Sequence, residues 1–174
     1  YTNFKHNKVV GMAGILDTSR FIYFLSEHLS VETSKIRSFV LGGHGDSMVA
    51  MLNHTYIDGI SISELVKNGK LKKDKLDSIV DRTKNGGAEI VKFLEKGSAF
   101  YAPAASGIEM ADSYLNNKKK QLPCAAFLNG EYGVKSLYVG VPVVIGSQGV
   151  EKIIEIDLNN DEKENFNKSI EAVK

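Results

Sequence analysis

Cysteine is nearly absent from this sequence: Cys124 is the only one in 174 residues. A lone thiol forms no internal disulfide, and no Cys/His spacing suggests zinc. The fold is therefore expected to stand without a disulfide or metal staple, and no metal is expected. Cys124 lies in the apolar run Leu122-Pro123-Cys124-Ala125-Ala126-Phe127, the setting of a buried small hydrophobe rather than of a nucleophile. An excess of either charge is also missing. Lys plus Arg number 22 against 21 Asp plus Glu, a net charge of +1. That balance excludes the electrostatic footprint of a general nucleic-acid or membrane-surface binder. The one basic run, Lys118-Lys119-Lys120, is expected to be a solvated helix end. No stretch approaches ~18 uninterrupted apolar residues, so no membrane span is expected. Residues 1–8 are polar and unlike a signal peptide, and they lack an initiator Met. The expectation is that the chain begins mid-protein.

Several nucleotide and hydrolase signatures are missing too. There is no G-x-x-x-x-G-K-[ST] and no H-E-x-x-H. Gly45-Asp46-Ser47-Met48-Val49 lacks the closing glycine of a serine-nucleophile elbow. Gly43-His44-Gly45 has Met48 where a dinucleotide fingerprint needs its third glycine.

What is present is ordinary globular material, 43% hydrophobic and 25% charged. At ~150 residues per domain the length suits one domain, large enough to bury roughly 70% of its unfolded surface. Residues 9–14 suggest a short strand entering a turn. A helix is expected over residues 16–29, with Phe21, Phe24, Leu25, His28 and Leu29 on its apolar face. Strands are expected at 38–41 and 48–52, around the polar hexapeptide Gly42-Gly43-His44-Gly45-Asp46-Ser47. Residues 54–57 and 60–62 suggest a hairpin about Asp58-Gly59. A short helix follows at 63–68. The periodicity predicts one long helix over 73–94, with Leu76, Ile79, Val80, Ile90, Val91 and Leu94 inward. Gly86-Gly87 inside it costs ~1 kcal/mol per glycine relative to Ala, which a close approach of another backbone would explain. A further helix is expected at 102–115, and strands at 122–128, 137–144 and 150–158. Asn159 with Glu162 forms a capping-box-like start to a last helix ending near Val173. Mixed runs without βαβ alternation give an α+β class with a mostly antiparallel sheet and packed helices.

Asp17 and Arg20 are three apart and share a helix face. His44 stands between glycines at a strand end, where its imidazole is reachable by a ligand. A buried Asp beside a His orients the ring and favours its protonated form. An Arg beside both would grip a planar carboxylate with two hydrogen bonds. Together they describe a site for proton exchange on a small carboxylic acid. Spacing alone leaves a second reading open, in which Asp17–Arg20 is a surface ion pair worth under ~1 kcal/mol and His44 caps a turn. His6, His28 and His54 have less context and are expected to be structural or exposed.

At these residues the sequence resembles the lactate/malate dehydrogenase family, in its C-terminal, catalytic domain. Ile15-Leu16-Asp17-Thr18-Ser19-Arg20-Phe21 is similar to the family's L-D-[ST]-x-R signature. Gly42-Gly43-His44-Gly45-Asp46-Ser47 is similar to its G-x-H-G-D-[ST] signature. The resemblance continues through Gly130-Glu131-Tyr132-Gly133-Val134 and Val139-Gly140-Val141-Pro142-Val143, and so covers essentially residues 1–174. It implies that His44 is the catalytic proton acceptor and donor. It implies that Asp17 is the carboxylate stabilising protonated His44, and that Arg20 binds the substrate's C1 carboxylate. Gly43 stands where lactate enzymes usually carry Glu, and Gly97-Ser98-Ala99 lacks the Thr of their corresponding loop. Both features resemble lactate-dehydrogenase-like malate dehydrogenases, with L-lactate dehydrogenase the near alternative. Met48-Val49-Ala50 lacks a Pro that often follows the second motif, and Asn53-His54-Thr55-Tyr56 replaces a stretch commonly containing Arg.

The implied cofactor is NAD. Its Rossmann domain, with the substrate-gripping arginines of its mobile loop, is not among residues 1–174, and the residues that bind the cofactor are not identified. The implied partners are a small dicarboxylate substrate, the NAD-binding domain and further copies of the chain, a tetramer rather than a dimer. No nucleic acid or membrane partner is implied. The implied location is the cytoplasm. Taken alone, residues 1–174 are expected to lack dehydrogenase activity, to act as a scaffold and oligomerisation domain, and to expose an apolar face.

Overall fold

A computed structural model describes residues 3–174. The first long helix, α1 (Ala13–Leu29), begins three residues before the periodicity placed it. Residues 9–14 make no strand; a single bridge, Gly11 to Ala125, joins this segment to the sheet. α1 closes at Ser30, which adopts the left-handed conformation (φ 54°) and donates its N–H to the Ser26 carbonyl. Phe21 and Leu25 are completely buried on its inner face, whereas His28 is exposed and lies off it.

Five antiparallel strands carry the main sheet. In spatial order they run β3 (Met48–Ala50), β2 (Val40–Gly42), β7 (Lys135–Gly146) and β6 (Lys120–Asn129), with β8 (Gly149–Ile153) also on β7. In β6, Leu122, Cys124, Ala126 and Leu128 are buried at alternate positions, as a period of two requires when one face meets the core. They pack with Val139, Val141 and Val143 of β7 and with Phe166 and Ile170 of the last helix, α6 (Asn160–Val173). The capping box at its start is formed: Asn159 accepts from the Glu162 N–H at 2.8 Å, and Glu162 accepts from the Asn159 N–H at 3.2 Å.

A second core gathers Phe21 and Leu25 with Ile36, Ile57, Ile62, Leu65, Leu71, Leu76 and Ile79. These come from α1, a small antiparallel sheet of β1 (Ile36–Arg37), β4 (Tyr56–Ile57) and β5 (Ile60–Ser61), the helices α2 (Ile62–Lys67) and α3 (Lys73–Lys84), and, for Leu71, the connection between those two helices. The Asp58-Gly59 hairpin turn takes positive φ at both residues, 51° and 82°. α1 supplies Ile15 to one core and Phe21 to the other, so its polar residues between them lie at the junction.

Three further expectations change. The single helix over 73–94 is two, α3 and α4 (Gly86–Leu94), broken at Asn85. Leu76 and Ile79 are buried as expected, but Val91 and Leu94, in α4 beyond the break, are exposed. The strand expected to reach residue 158 ends at Ile153. The lysine run is not a helix end, since α5 (Tyr101–Leu115) stops earlier. Lys120 begins β6, and the run is paired with Asp112, Glu109 and Glu151. Among the described residues no helix is long and apolar enough to cross a membrane. α5 does carry an exposed apolar stripe, with Tyr101, Ile108 and Leu115 seven residues apart.

Candidate active site

Asp17 is a charged residue with no solvent exposure. Burial of a carboxylate is tolerated only where donors replace water. Three do so here. Asp17 Oδ2 accepts from His44 Nδ1 at 2.8 Å and from the Gly45 N–H at 3.2 Å, and Oδ1 accepts from Arg20 Nη1 at 3.3 Å. The residues singled out in two separate motifs therefore meet around one carboxylate, and the surface-pair reading of Asp17 and Arg20 is excluded by burial.

His44 arrives on the loop between β2 and β3. Its backbone is extended (φ −103°, ψ 147°), and Gly45 beyond it takes φ +66°, which turns its N–H onto Asp17. With an acceptor on Nδ1 the ring is fixed in orientation, while Nε2 makes no hydrogen bond among the described residues. The side chain is 52% exposed, which leaves the ring open to a ligand. An imidazole braced on one nitrogen and open on the other is the arrangement a proton-transfer group needs.

Arg20 is packed and incompletely bonded. Its side chain is only 10% exposed. Nη1 holds Asp17, yet Nε is buried and has no hydrogen-bond partner among the described residues. An orphan guanidinium donor is costly, and a guanidinium with one nitrogen on Asp17 keeps a further nitrogen for a planar carboxylate. Arg20 also explains the first of the paired glycines. A Cβ on Gly86 would stand 3.1 Å from Arg20 Cδ, so α4 begins against the arginine's stem. The close approach expected there is made by a side chain, not by backbone.

The break at Asn85 is held by Arg82, which donates Nε to Glu89 Oε2 at 3.1 Å and Nη2 to Oε1 at 2.9 Å. The Arg82 guanidinium also lies 4.2 Å over the Phe24 ring. The hydrogen bond from Arg82 holds the Glu89 carboxyl below the usual carboxylate range, and the same bond raises Arg82.

The other histidines are elsewhere. His6 stacks on Phe127 with centroids 3.8 Å apart, His54 Nε2 bonds the Asp157 carbonyl at 2.8 Å, and His28 is exposed. Ser169 was not anticipated. It comes from α6 and bonds both ends of the His44 loop. No local pattern could reveal it, because its partners lie more than a hundred residues away.

A dinucleotide does not fit these residues. Gly43-His44-Gly45 connects two antiparallel strands, where a pyrophosphate cradle needs a parallel strand leading into a helix N-terminus.

Residues 15–174 match the family described as lactate/malate dehydrogenase, alpha/beta C-terminal domain. Among solved structures, malate dehydrogenase of Cryptosporidium parvum is 46% identical, with a TM-score of 0.94 over 97% of this chain and 54% of its own. Lactate dehydrogenase of the same organism, complexed with lactic acid and nicotinamide adenine dinucleotide, is 42% identical, with a TM-score of 0.95 over 98% and 54%. Malate dehydrogenase of Salinibacter ruber is 43% identical, with a TM-score of 0.92 over 98% and 54%. The chain thus spans about half the length of each of these relatives.

Proposed function

The chain belongs to the lactate/malate dehydrogenase family, and from that premise we propose that it is the substrate-binding and proton-transfer half of an NAD-dependent malate dehydrogenase interconverting (S)-malate and oxaloacetate. The observation that carries the reading is the Asp17–His44 pair, with Nε2 free of hydrogen bonds among the described residues, beside the guanidinium of Arg20 on the same carboxylate. Nicotinamide chemistry supplies the hydride acceptor from outside these residues. What this chain supplies is the proton and the grip. During oxidation His44 Nε2 accepts the substrate's hydroxyl proton, and Asp17 stabilises the imidazolium so formed. During reduction the same nitrogen returns the proton to the new alkoxide. Arg20 holds the C1 carboxylate and so aims the hydroxyl at Nε2.

Malate is favoured over lactate by Gly43 and by Gly97-Ser98-Ala99, the two places where the sequence resembles the malate enzymes. L-Lactate dehydrogenase is the second reading, supported by a relative of that activity at 42% identity. The partners we propose are an NAD-binding half, a small 2-hydroxy acid and further copies of the chain, with the α5 stripe as a surface such contacts would cover; the cytoplasm is the proposed location. In the complete dehydrogenase, oxaloacetate should be reduced much faster than pyruvate, and His44→Asn should abolish both activities. Normal turnover by His44→Asn would overturn the reading, and preference for pyruvate would replace malate by lactate. Residues 1–174 alone should not consume NADH.

A further inference from the structure

Buried hydroxyls on helices commonly bond back to the carbonyl one turn earlier. Thr83 does so to Ile79 at 2.8 Å and Ser106 to Ala102 at 2.9 Å. Ser169, 4% exposed on α6, does not. Its Oγ accepts from the Gly43 N–H at 2.8 Å and donates to the Ser47 carbonyl at 2.5 Å. These two backbone groups are the first and last of residues 43–47, the loop that carries His44. The approach is close. Gly42 takes φ +87°, and a Cβ there would overlap the Ser169 hydroxyl. Ser47 Oγ in turn donates to the His44 carbonyl at 3.3 Å.

We propose that Ser169 is a positioning residue for His44: by tying both ends of the 43–47 loop to α6, its hydroxyl holds the imidazole on Asp17. The inference rests on the reading of His44 as the proton-transfer group. Without the hydroxyl, the Gly43 N–H and Ser47 carbonyl lose their partner and the loop is free to relax. A displacement of ~1 Å at a reacting group costs about a hundredfold in rate. The Arg20 grip is on another element and is untouched. Proton transfer should therefore suffer and substrate affinity should not.

Ser113 provides the control, because it makes the same kind of pair far from the site. It is fully buried, donates to the Ile145 carbonyl at 2.7 Å and accepts from the Lys120 N–H at 3.1 Å. In the complete dehydrogenase, Ser169→Ala should lower kcat about tenfold or more and change KM for the oxo acid by less than about twofold. Ser113→Ala should leave kcat within about twofold while lowering Tm by a similar amount. In the complete dehydrogenase, the His44 Nδ1–H signal in nitrogen-15 NMR should exchange faster with solvent in Ser169→Ala, and should be unchanged in Ser113→Ala. If Ser169→Ala fails to fold, Ser169→Cys, with a weaker and longer bond, should show an intermediate loss of kcat. Unchanged kcat and exchange in Ser169→Ala, or an equal loss of kcat in both variants, would overturn the proposal. If His44→Asn keeps normal turnover, it is the site reading that fails, and the exchange measurement alone decides whether Ser169 holds the ring.

Discussion

Replacing Asp17 with Asn removes one charge and almost no volume, which isolates the electrostatic role of a residue with no solvent exposure. Three donors converge on the two carboxylate oxygens. An amide keeps one acceptor oxygen and puts an NH2 donor group in place of the other, so no orientation satisfies all three. With the amide nitrogen toward Arg20, two donors face each other in a buried space. With it toward His44, Nδ1 must become an acceptor, and the proton moves to Nε2, where it blocks acceptance from a hydroxyl. The carboxylate also stabilises the imidazolium. Two unit charges 4 Å apart interact by about 4 kcal/mol at an effective dielectric constant of about 20. Because the His44 side chain is 52% exposed, solvent screens about half of that. A loss of about 2 kcal/mol is roughly thirtyfold in rate, and tautomer misplacement adds to it. In the complete dehydrogenase we therefore expect Asp17→Asn to reduce kcat by about thirty- to a thousandfold in steady-state kinetics with oxaloacetate. KM should rise only severalfold, through the loosened Arg20. A kcat within about twofold of wild type would refute the electrostatic reasoning. So would an effect confined to KM.

Gly86→Ala places a methyl about 3.1 Å from Arg20 Cδ and should push the guanidinium by a few tenths of an ångström; KM for the oxo acid should rise about three- to tenfold with kcat held within about threefold, and an unchanged KM would separate α4 from the arginine's placement. Burial pushes the Cys124 thiol up from 9.0 to about 12, with a further contribution from the charge of Glu109. The native state therefore keeps this proton where the unfolded chain releases it. Its contribution to stability is complete below about pH 9 and is lost as pH rises towards 12, by at most ~4 kcal/mol at 1.36 kcal/mol per unit. Denaturant titrations should show that alkaline slope in wild type and a shallower one in Cys124→Ala. The slope that remains should carry the Tyr132 hydroxyl, which burial likewise pushes up to about 12. Identical slopes in the two proteins would count against the thiol's share.

Much of the fold follows from local rules. The period of two in β6, the I′-type turn at Asp58-Gly59 and the capping box at Asn159 each depend on residues a few positions apart. The apolar spacing of residues 73–94 suits one helix, but the helix is interrupted at Asn85, where the Arg82–Glu89 fork crosses the break and Gly86 meets Arg20. Val91 and Leu94 then lie on an exposed face that periodicity alone assigns to the core. The segment 9–14 has strand composition, yet it joins the sheet at one bridge before α1 begins at Ala13.

The amino-acid sequence by itself determined the class of fold and the chemical parts of the site. Both are matters of residue type and short spacing: alternating or helical apolar positions, Asp17 and Arg20 on one helix turn, and a histidine between glycines. Only the tertiary structure decided that these parts meet around one carboxylate. Folding takes Asp17 out of water, so its contacts with His44 and Arg20 are strong where an exposed pair would be screened. It also sets α6 against the loop, giving Ser169 a hold on both ends of the segment that carries His44. Burial and long-range contact are properties of the packed chain. No window of neighbouring residues contains them.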